Sequence, residues 1–284
     1  MAADSNTDSD LKISIEDPLN KEHATAFSEC PHFDEICVRD QDLITVNIAQ
    51  AFIPIRSVYK MTVWCSITRA AMRYVISRPN LKELVVFELK PPGYLTGFED
   101  AHDLTYFSCP FGLNVTDLLE LAECTSLEKL GAQQAKITEK ALASLLELPL
   151  LTEIDFECSN FNDGLADIVS QSKTVTRFEI GATRITRDGL EKICSMKQLR
   201  GLDVWANDIS ETDLDLLVAL PNLEYLSIGG HDEQTTFTLK GTLPILQQIP
   251  SLTHLWLDGF RVTKDEWAYL NDRYDKVHVT AVID

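Results

Sequence analysis

The 284-residue chain reads as an α/β solenoid, with a curved parallel sheet on the concave face and short helices on the convex face. Two observations predict this class. An apolar triplet at relative positions one, four and six recurs about every 24 residues. Each triplet is followed by a hydroxyl residue and then by apolar residues at helical spacing. A unit this short cannot bury its own apolar face, so the units must stack into a continuous core. A doubly wound α/β sheet needs longer crossovers than this regular spacing leaves room for.

The clearest triplets are Leu127/Leu130/Ala132, Leu151/Ile154/Phe156, Val175/Phe178/Ile180, Leu199/Leu202/Val204 and Leu223/Leu226/Ile228, whose starts lie 24 residues apart. Earlier copies are Leu104/Phe107/Cys109, Leu81/Leu84/Val86, Val58/Met61/Val63 and Phe33/Ile36/Val38. Later ones are Leu252/Leu255/Leu257 and the partial copy Tyr274/Val277/Val279. The second half of a unit reads Ile185-Thr186-Arg187-Asp188-Gly189-Leu190, with Ile193 and Met196 beyond it. Ile137-Thr138, Ile209-Ser210, Val262-Thr263 and Ile67-Thr68 open the same segment elsewhere. The hydroxyl residue stands where a helix N-cap belongs, because its oxygen can accept from an otherwise unpaired backbone N–H. Ser210 with Asp213, and Thr263 with Glu266, have the spacing of a capping box. Pro79, Pro149, Pro221 and Pro250 mark where helices stop.

These motifs resemble the leucine-rich repeat, and within that class bacterial proteins whose units contain I-T-x-x-G-L. The resemblance covers roughly residues 33–284 and implies a protein-binding solenoid. The asparagine usual at the ninth position is present as Asn207 and replaced by Thr183 and Ser159. The expected organisation is a disordered acidic tail and N-terminal cap over 1–32, then ten or eleven repeats including a C-terminal cap over 33–284. Residues 11–32 are expected to be an irregular part of that cap. An insertion at 229–236, after the Leu223 triplet, is expected to form an edge loop.

Lys and Arg number 25 against 44 Asp and Glu, a formal net charge of −19. Nucleic acid and anionic membranes need a basic footprint, so neither is expected as a partner. No apolar run reaches bilayer length, and Met1–Asp10 has no signal-peptide pattern, which points to a cytoplasmic address. The seven cysteines are odd in number and contain no C-x-x-C pair, so buried, reduced thiols are expected. Phosphate-loop, dinucleotide, zinc-protease and nucleophile-elbow motifs are all missing from the sequence. The six histidines lack ligand spacing, and neither His231-Asp232-Glu233 nor Cys30-Pro31-His32 makes a convincing site. The expectation is a non-catalytic protein with no metal and no cofactor. Asn114-Val115-Thr116 matches the glycosylation triplet, and without a secretory signal it reads as a chance match.

With positions one, four and six turned inward, positions three, five, seven and eight approximate the exposed concave row. Over ten copies that row holds ten acids and only four bases, Arg39, Lys60, Lys129 and Arg177. It also holds Trp64, Phe87, Tyr106, Phe111, Trp205, Tyr225 and Trp256. Solubility gives no reason to expose tryptophan, whereas interface hot spots are rich in it. The candidate contact surface is therefore Glu153, Asp155, Glu157, Glu179, Asp203, Trp205, Tyr225, Trp256 and Asp258. Acids beside aromatics suit a basic protein, such as a toxin or nuclease held by an immunity or inhibitor protein. The alternative is a general adaptor or effector scaffold with no toxin involved.

Overall fold

The structure, a computed structural model, describes residues 11–30, 32–39, 42–230 and 237–283. The expected acidic tail and residues 231–236 of the expected edge loop lie outside the described residues, as does Asp40 of the concave row. The chain divides into two compact units, Met1–Gly112 with Glu123–Leu127, and Leu113–Ala122 with Glu128–Asp284.

Unit 1 carries β1 (Lys12–Ile15), α1 (Lys21–Glu29), β2 (His32–Val38), α2 (Val46–Ala49), a 3-10 turn at Gln50–Phe52, β3 (Ser57–Thr68), α3 (Arg69–Ile76), β4 (Glu83–Lys90) and β5 (Tyr106–Ser108). Its strands pair in parallel in chain order. Residues 11–30, expected to be irregular, hold a regular strand and helix. Ile13 pairs with Ile36 and Ile15 with Val38, so the repeat pattern reaches back into the N-terminal segment. Asn20 caps α1 by accepting from the backbone N–H of Glu22 and His23.

Unit 2 begins with α4 (Val115–Leu121) and continues through β6 (Lys129–Gly131), α5 (Glu139–Leu146), β7 (Glu153–Asp155), α6 (Asp163–Val169), β8 (Arg177–Glu179), α7 (Arg187–Ile193) and β9 (Gly201–Asp203). A 3-10 helix (Glu211–Ala219), β10 (Tyr225–Gly229), α8 (Leu239–Leu246), β11 (His254–Thr263), α9 (Lys264–Arg273) and β12 (Lys276–Ile283) follow. Strands β6 to β12 again pair in parallel in chain order.

The triplets form the core of both units. Every residue of the ten triplets from Phe33 to Leu257 is buried. In the eleventh, Tyr274 is buried while Val277 and Val279 are half-buried. Phe178 lies 5.2 Å from Phe161 and 6.4 Å from Phe156 between ring centroids, so an aromatic cluster ties consecutive units together. Burying one such side chain contributes about 2–3 kcal/mol.

Backbone bonds between consecutive repeats recur with the sequence period. The carbonyl of Thr152 accepts from Thr176 and Arg177, that of Thr176 from Arg200 and Gly201, and that of Arg200 from Glu224 and Tyr225. Two turns later the chain swings left-handed at the eighth position. Gln134, Cys158, Ala182 and Ala206 have φ of 53°, 56°, 52° and 51°, and Gly259 follows at 78°. Each of those four non-glycine residues costs roughly 1–2 kcal/mol in that conformation. It is held there because its N–H bonds the next unit, as Ala182 does with Trp205 at 2.7 Å.

The expected caps are present at Thr138, Thr186 and Thr263, each of which accepts from a first-turn N–H. Thr68 stands at the N-cap position of α3 without a side-chain bond. Asn114, Asn162 and Thr238 cap three further helices. The Asn114 side chain is thereby engaged with the N–H of Thr116 and Asp117. The segment after Ser210 is 3-10 rather than α. Its buried leucines, 214, 217 and 220, are three residues apart, and a three-residue turn lines them up in one row. Asn207 spans two consecutive repeats of unit 2, accepting from the N–H groups of Thr183 and Ile185 and donating to Ile180 at 2.8 Å. Asn160, one place beyond Ser159, does the same for Ile137 at 2.7 and 3.0 Å.

All seven cysteines are free thiols, but only Cys65, Cys109, Cys124 and Cys194 are buried. Cys30 and Cys158 are exposed, against expectation. Cys158 is out because it occupies the left-handed turn at position eight, past the last core-facing residue of its strand.

Candidate functional site

All nine candidate contact residues fall in unit 2, on the face of β7 to β11 turned away from the helices. Strand register sets Asp155 beside Glu179 and Glu179 beside Asp203, while Ser227 lies between Asp203 and Trp256. Neighbouring parallel strands are about 4.8 Å apart, so three carboxylates meet on adjacent strands.

Two bases lie in this acidic row. Lys129 pairs with Glu153 at 2.8 Å, and Arg177 with Glu179 at 2.6 Å. Among the described residues, Asp155, Glu157 and Asp203 have no lysine or arginine within ion-pair distance. Their bonds are to neutral donors. Asp155 accepts from Gln133 at 2.6 Å and from the Glu157 N–H at 2.9 Å. Glu157 accepts from the Trp205 indole at 3.3 Å, and Asp203 from the Trp205 N–H at 3.0 Å. His278 stands 3.9 Å from Asp258.

This environment holds protons. Burial pushes the Asp155 carboxyl up to about 7, and the neighbouring Glu157 and Glu179 add to the shift. Burial, with help from Glu157 and Glu179, pushes Asp203 up to about 8. Glu157 is raised as well, again chiefly by burial, with the Trp205 indole opposing. Losing water without gaining a positive partner disfavours the charged form.

Position in the row does not guarantee exposure. Asp203 is only 5% exposed, so it does not present a charge to a partner as the sequence implied. Trp205, Tyr225 and Trp256 are half-buried and packed among their neighbours. The Trp205 indole lies across Gly181, where an added Cβ would fall 2.0 Å from its nitrogen. The Arg177 guanidinium sits 4.3 Å over the Tyr225 ring. Trp256 is 5.5 Å from Tyr225, stacks on His278 at 6.1 Å, and has the Lys276 ammonium 4.8 Å from its centre. The aromatics are thus a rigid lining, and Glu153, Asp155, Glu157, Glu179 and Asp258 are the half-exposed acids between them.

Sequence reasoning missed Gln133, Gly181, Ser227 and Lys276 as parts of this arrangement. Gly181 and Gln133 both occupy position seven of their copies, so the row contained them. What it lacked was any sign that a neighbouring indole needs the empty space at 181.

Among the described residues no group of three His, Cys, Asp or Glu is arranged to hold a metal ion. Nor is any described helix long and apolar enough to cross a membrane.

Neither a family model nor a curated protein sequence matches the chain. Solved structures do. An internalin (InlF) from Listeria monocytogenes aligns over 89% of this chain and 76% of its own, with 16% identity and a TM-score of 0.53. TLR13, in its complex with ssRNA13, aligns over 92% of this chain with 17% identity and a TM-score of 0.54. The chain spans 37% of the TLR13 chain's length. At these identities the likeness establishes the fold, an α/β leucine-rich repeat solenoid.

Proposed function

We propose that this chain is a non-catalytic binding protein whose unit 2 sheet face, β7 to β11, receives a basic protein. The observation that carries this reading is the group of carboxylates without basic partners, set among aromatic side chains already locked in place. A partner's lysines and arginines would supply the charges that Asp155 and Glu157 lack. Rigid aromatics lower the entropy cost of forming the contact. An immunity or inhibitor role is the finer form of the proposal, with the carboxylates standing where a nuclease would place nucleic-acid phosphates. Fold-level likeness alone does not choose among these roles.

The test is affinity purification from the cell that encodes the chain, using wild type and Glu157→Lys/Glu179→Lys in parallel. A partner of high isoelectric point is expected, weakened at least tenfold by the double substitution, about 1.4 kcal/mol or more. The complex is also expected to weaken as salt rises. A partner that is acidic, or that binds both proteins equally, sinks the reading. If the partner arrests growth alone and co-expression restores it, the protein is an inhibitor. A harmless basic partner makes it an adaptor.

A further inference from the structure

The outermost strand of unit 2 differs from the strands before it in length and in cover. β12 runs for eight residues, Lys276–Ile283, where β6, β7, β8 and β9 have three each. It pairs with β11 along one edge, and among the described residues no strand lies along the other. The repeat itself shows what such an edge is built to meet. In earlier copies the N–H groups at positions six and eight bond the strand that follows. Phe156 and Cys158 donate to the carbonyls of Glu179 and Gly181, and Ile180 and Ala182 to those of Asp203 and Trp205. In the β12 copy, position three is Lys276, whose N–H bonds Thr253 on the β11 side. Positions four, six and eight are Val277, Val279 and Ala281, so these residues turn their N–H and C=O groups away from β11. Ile283 continues the series two residues on.

Their side chains are less covered as well. Positions four and six are buried in the ten earlier copies, whereas Val277 and Val279 are half-buried, and Val282 and Ile283 are 43% and 44% exposed. Edge strands that stay single in water are short, or carry proline or several charges. β12 is long, has no proline, and carries one lysine at its start. A second copy of β12 fits this edge. Run antiparallel about a two-fold axis at Thr280, Val277 meets Ile283 and Val279 meets Ala281. All four outward residues of each copy then exchange backbone bonds, and apolar side chains meet on one face of the joined sheet. A parallel pairing would set Lys276 beside Lys276, whereas the antiparallel one holds the two roughly 25 Å apart. A head-to-tail contact with β1, which is four residues long, would engage only half of β12 and would leave open ends.

We propose that two copies of this chain associate as a two-fold dimer through β12, the two strands pairing antiparallel edge to edge. The dimer is independent of the basic-protein reading, because it uses a sheet edge and backbone groups rather than the acidic face. The two associations also answer salt in opposite senses. Each copy carries a net charge of −19, so screening should tighten the dimer, while it weakens a complex with a basic partner.

The experiment is sedimentation equilibrium on the full chain, comparing wild type, Val279→Pro and Glu157→Lys/Glu179→Lys. Wild type and the acidic-face variant are expected to show a reversible monomer–dimer equilibrium that tightens with salt in the wild type. Val279→Pro should dimerise at least tenfold more weakly, because proline removes an outward N–H that β11 does not use. Thr280→Cys, oxidised with diamide, gives a second readout that does not depend on the proline variant folding. Residues opposed on the axis lie about 4.5 Å apart between Cα atoms, within disulfide reach, so a covalent dimer joined through residue 280 is expected. The proposal is overturned if the wild type stays monomeric and Thr280→Cys forms no such link. It is also overturned if Val279→Pro, folded by circular dichroism, dimerises as tightly as wild type. Species that grow beyond the dimer with concentration would overturn it too, in favour of head-to-tail stacking.

Discussion

On β3 and β4 of unit 1 the acids have lysines beside them, and the Glu88 carboxyl sits below its usual range because Lys90 and Ser66 bond it. On β7 and β9 of unit 2, Asp155 and Asp203 are surrounded by other acids and neutral donors and sit well above that range. The backbone repeat is the same in both places. What differs is whether desolvation is compensated by a positive charge, and that decides the sign of the proton linkage. Unit 1 carries 10 Lys and Arg against 17 Asp and Glu, and unit 2 carries 15 against 27. Bulk charge alone would therefore not distinguish them so sharply. On β3 and β4 unit 1 pairs its acids with lysines and exposes aromatics, whereas on the acidic face unit 2 packs its aromatics and leaves Asp155, Glu157 and Asp203 without bases.

The largest effect expected from this difference is on stability against pH. The native state holds protons on Asp155 and Asp203 that the unfolded chain has released above about pH 4. Stability from these groups is therefore complete below pH 4 and lost as pH rises through about 7 to 8. The slope is about 1.4 kcal/mol per pH unit for each group. Hydrogen exchange should show amides of β7 to β10 better protected at about pH 5.5 than at pH 8, after correction for intrinsic rates, and Asp203→Asn should reduce the slope. The Glu88 linkage runs the other way, with stability lost as pH falls below the usual carboxylate range, so β3 and β4 should not share the trend. Equal behaviour of the two units would remove the distinction. Binding of a basic partner should tighten from about pH 6 to 8, as the half-buried Asp155 carboxyl becomes charged.

A smaller effect tests the packed state of the unit 2 aromatics. Gly181→Ala places a methyl group against the Trp205 indole, which must swing away and lose its bond to Glu157. We expect about 1–3 kcal/mol of destabilisation. The Trp205 emission, obtained by difference from Trp205→Phe, should move to the red. An unshifted emission would show that the indole is already in water, as Trp64 is. The smallest effect concerns the left-handed turn. Ala206→Gly should gain up to about 1 kcal/mol by relieving strain, offset in part by unfolded-state entropy. Denaturant midpoints measure it, and no gain would mean that the turn relaxes at little cost.

Much of the architecture was legible because burial imposes a period. Leu151, Ile154 and Phe156 had to be apolar, and so did their counterparts 24 residues on. N-caps were legible at Thr138, Thr186 and Thr263, where the hydroxyl precedes an apolar run, but Asn162 and Thr238 passed unnoticed. The first strand passed unnoticed too, because Lys12–Ile15 offers only two apolar residues to the pattern. The site was half legible. Periodicity named the nine residues of one face, yet it could not tell buried Asp203 from half-exposed Glu179, which share position five.

The sequence by itself determined the repeat, its length, the inward triplets and the acidic bias of positions three, five, seven and eight. These follow from one-dimensional spacing, because stacked units map a fixed period onto a fixed face. The tertiary structure decided which members of that face stay in water. Exposure depends on what the adjacent strand contributes at the same level. Trp205 can lie down because Gly181 is empty, Asp203 is sealed by its neighbours, and Trp64 stands out beside a likewise uncovered Phe87 on the next strand. Those are relations between residues about two dozen positions apart, and only the registered sheet brings them together.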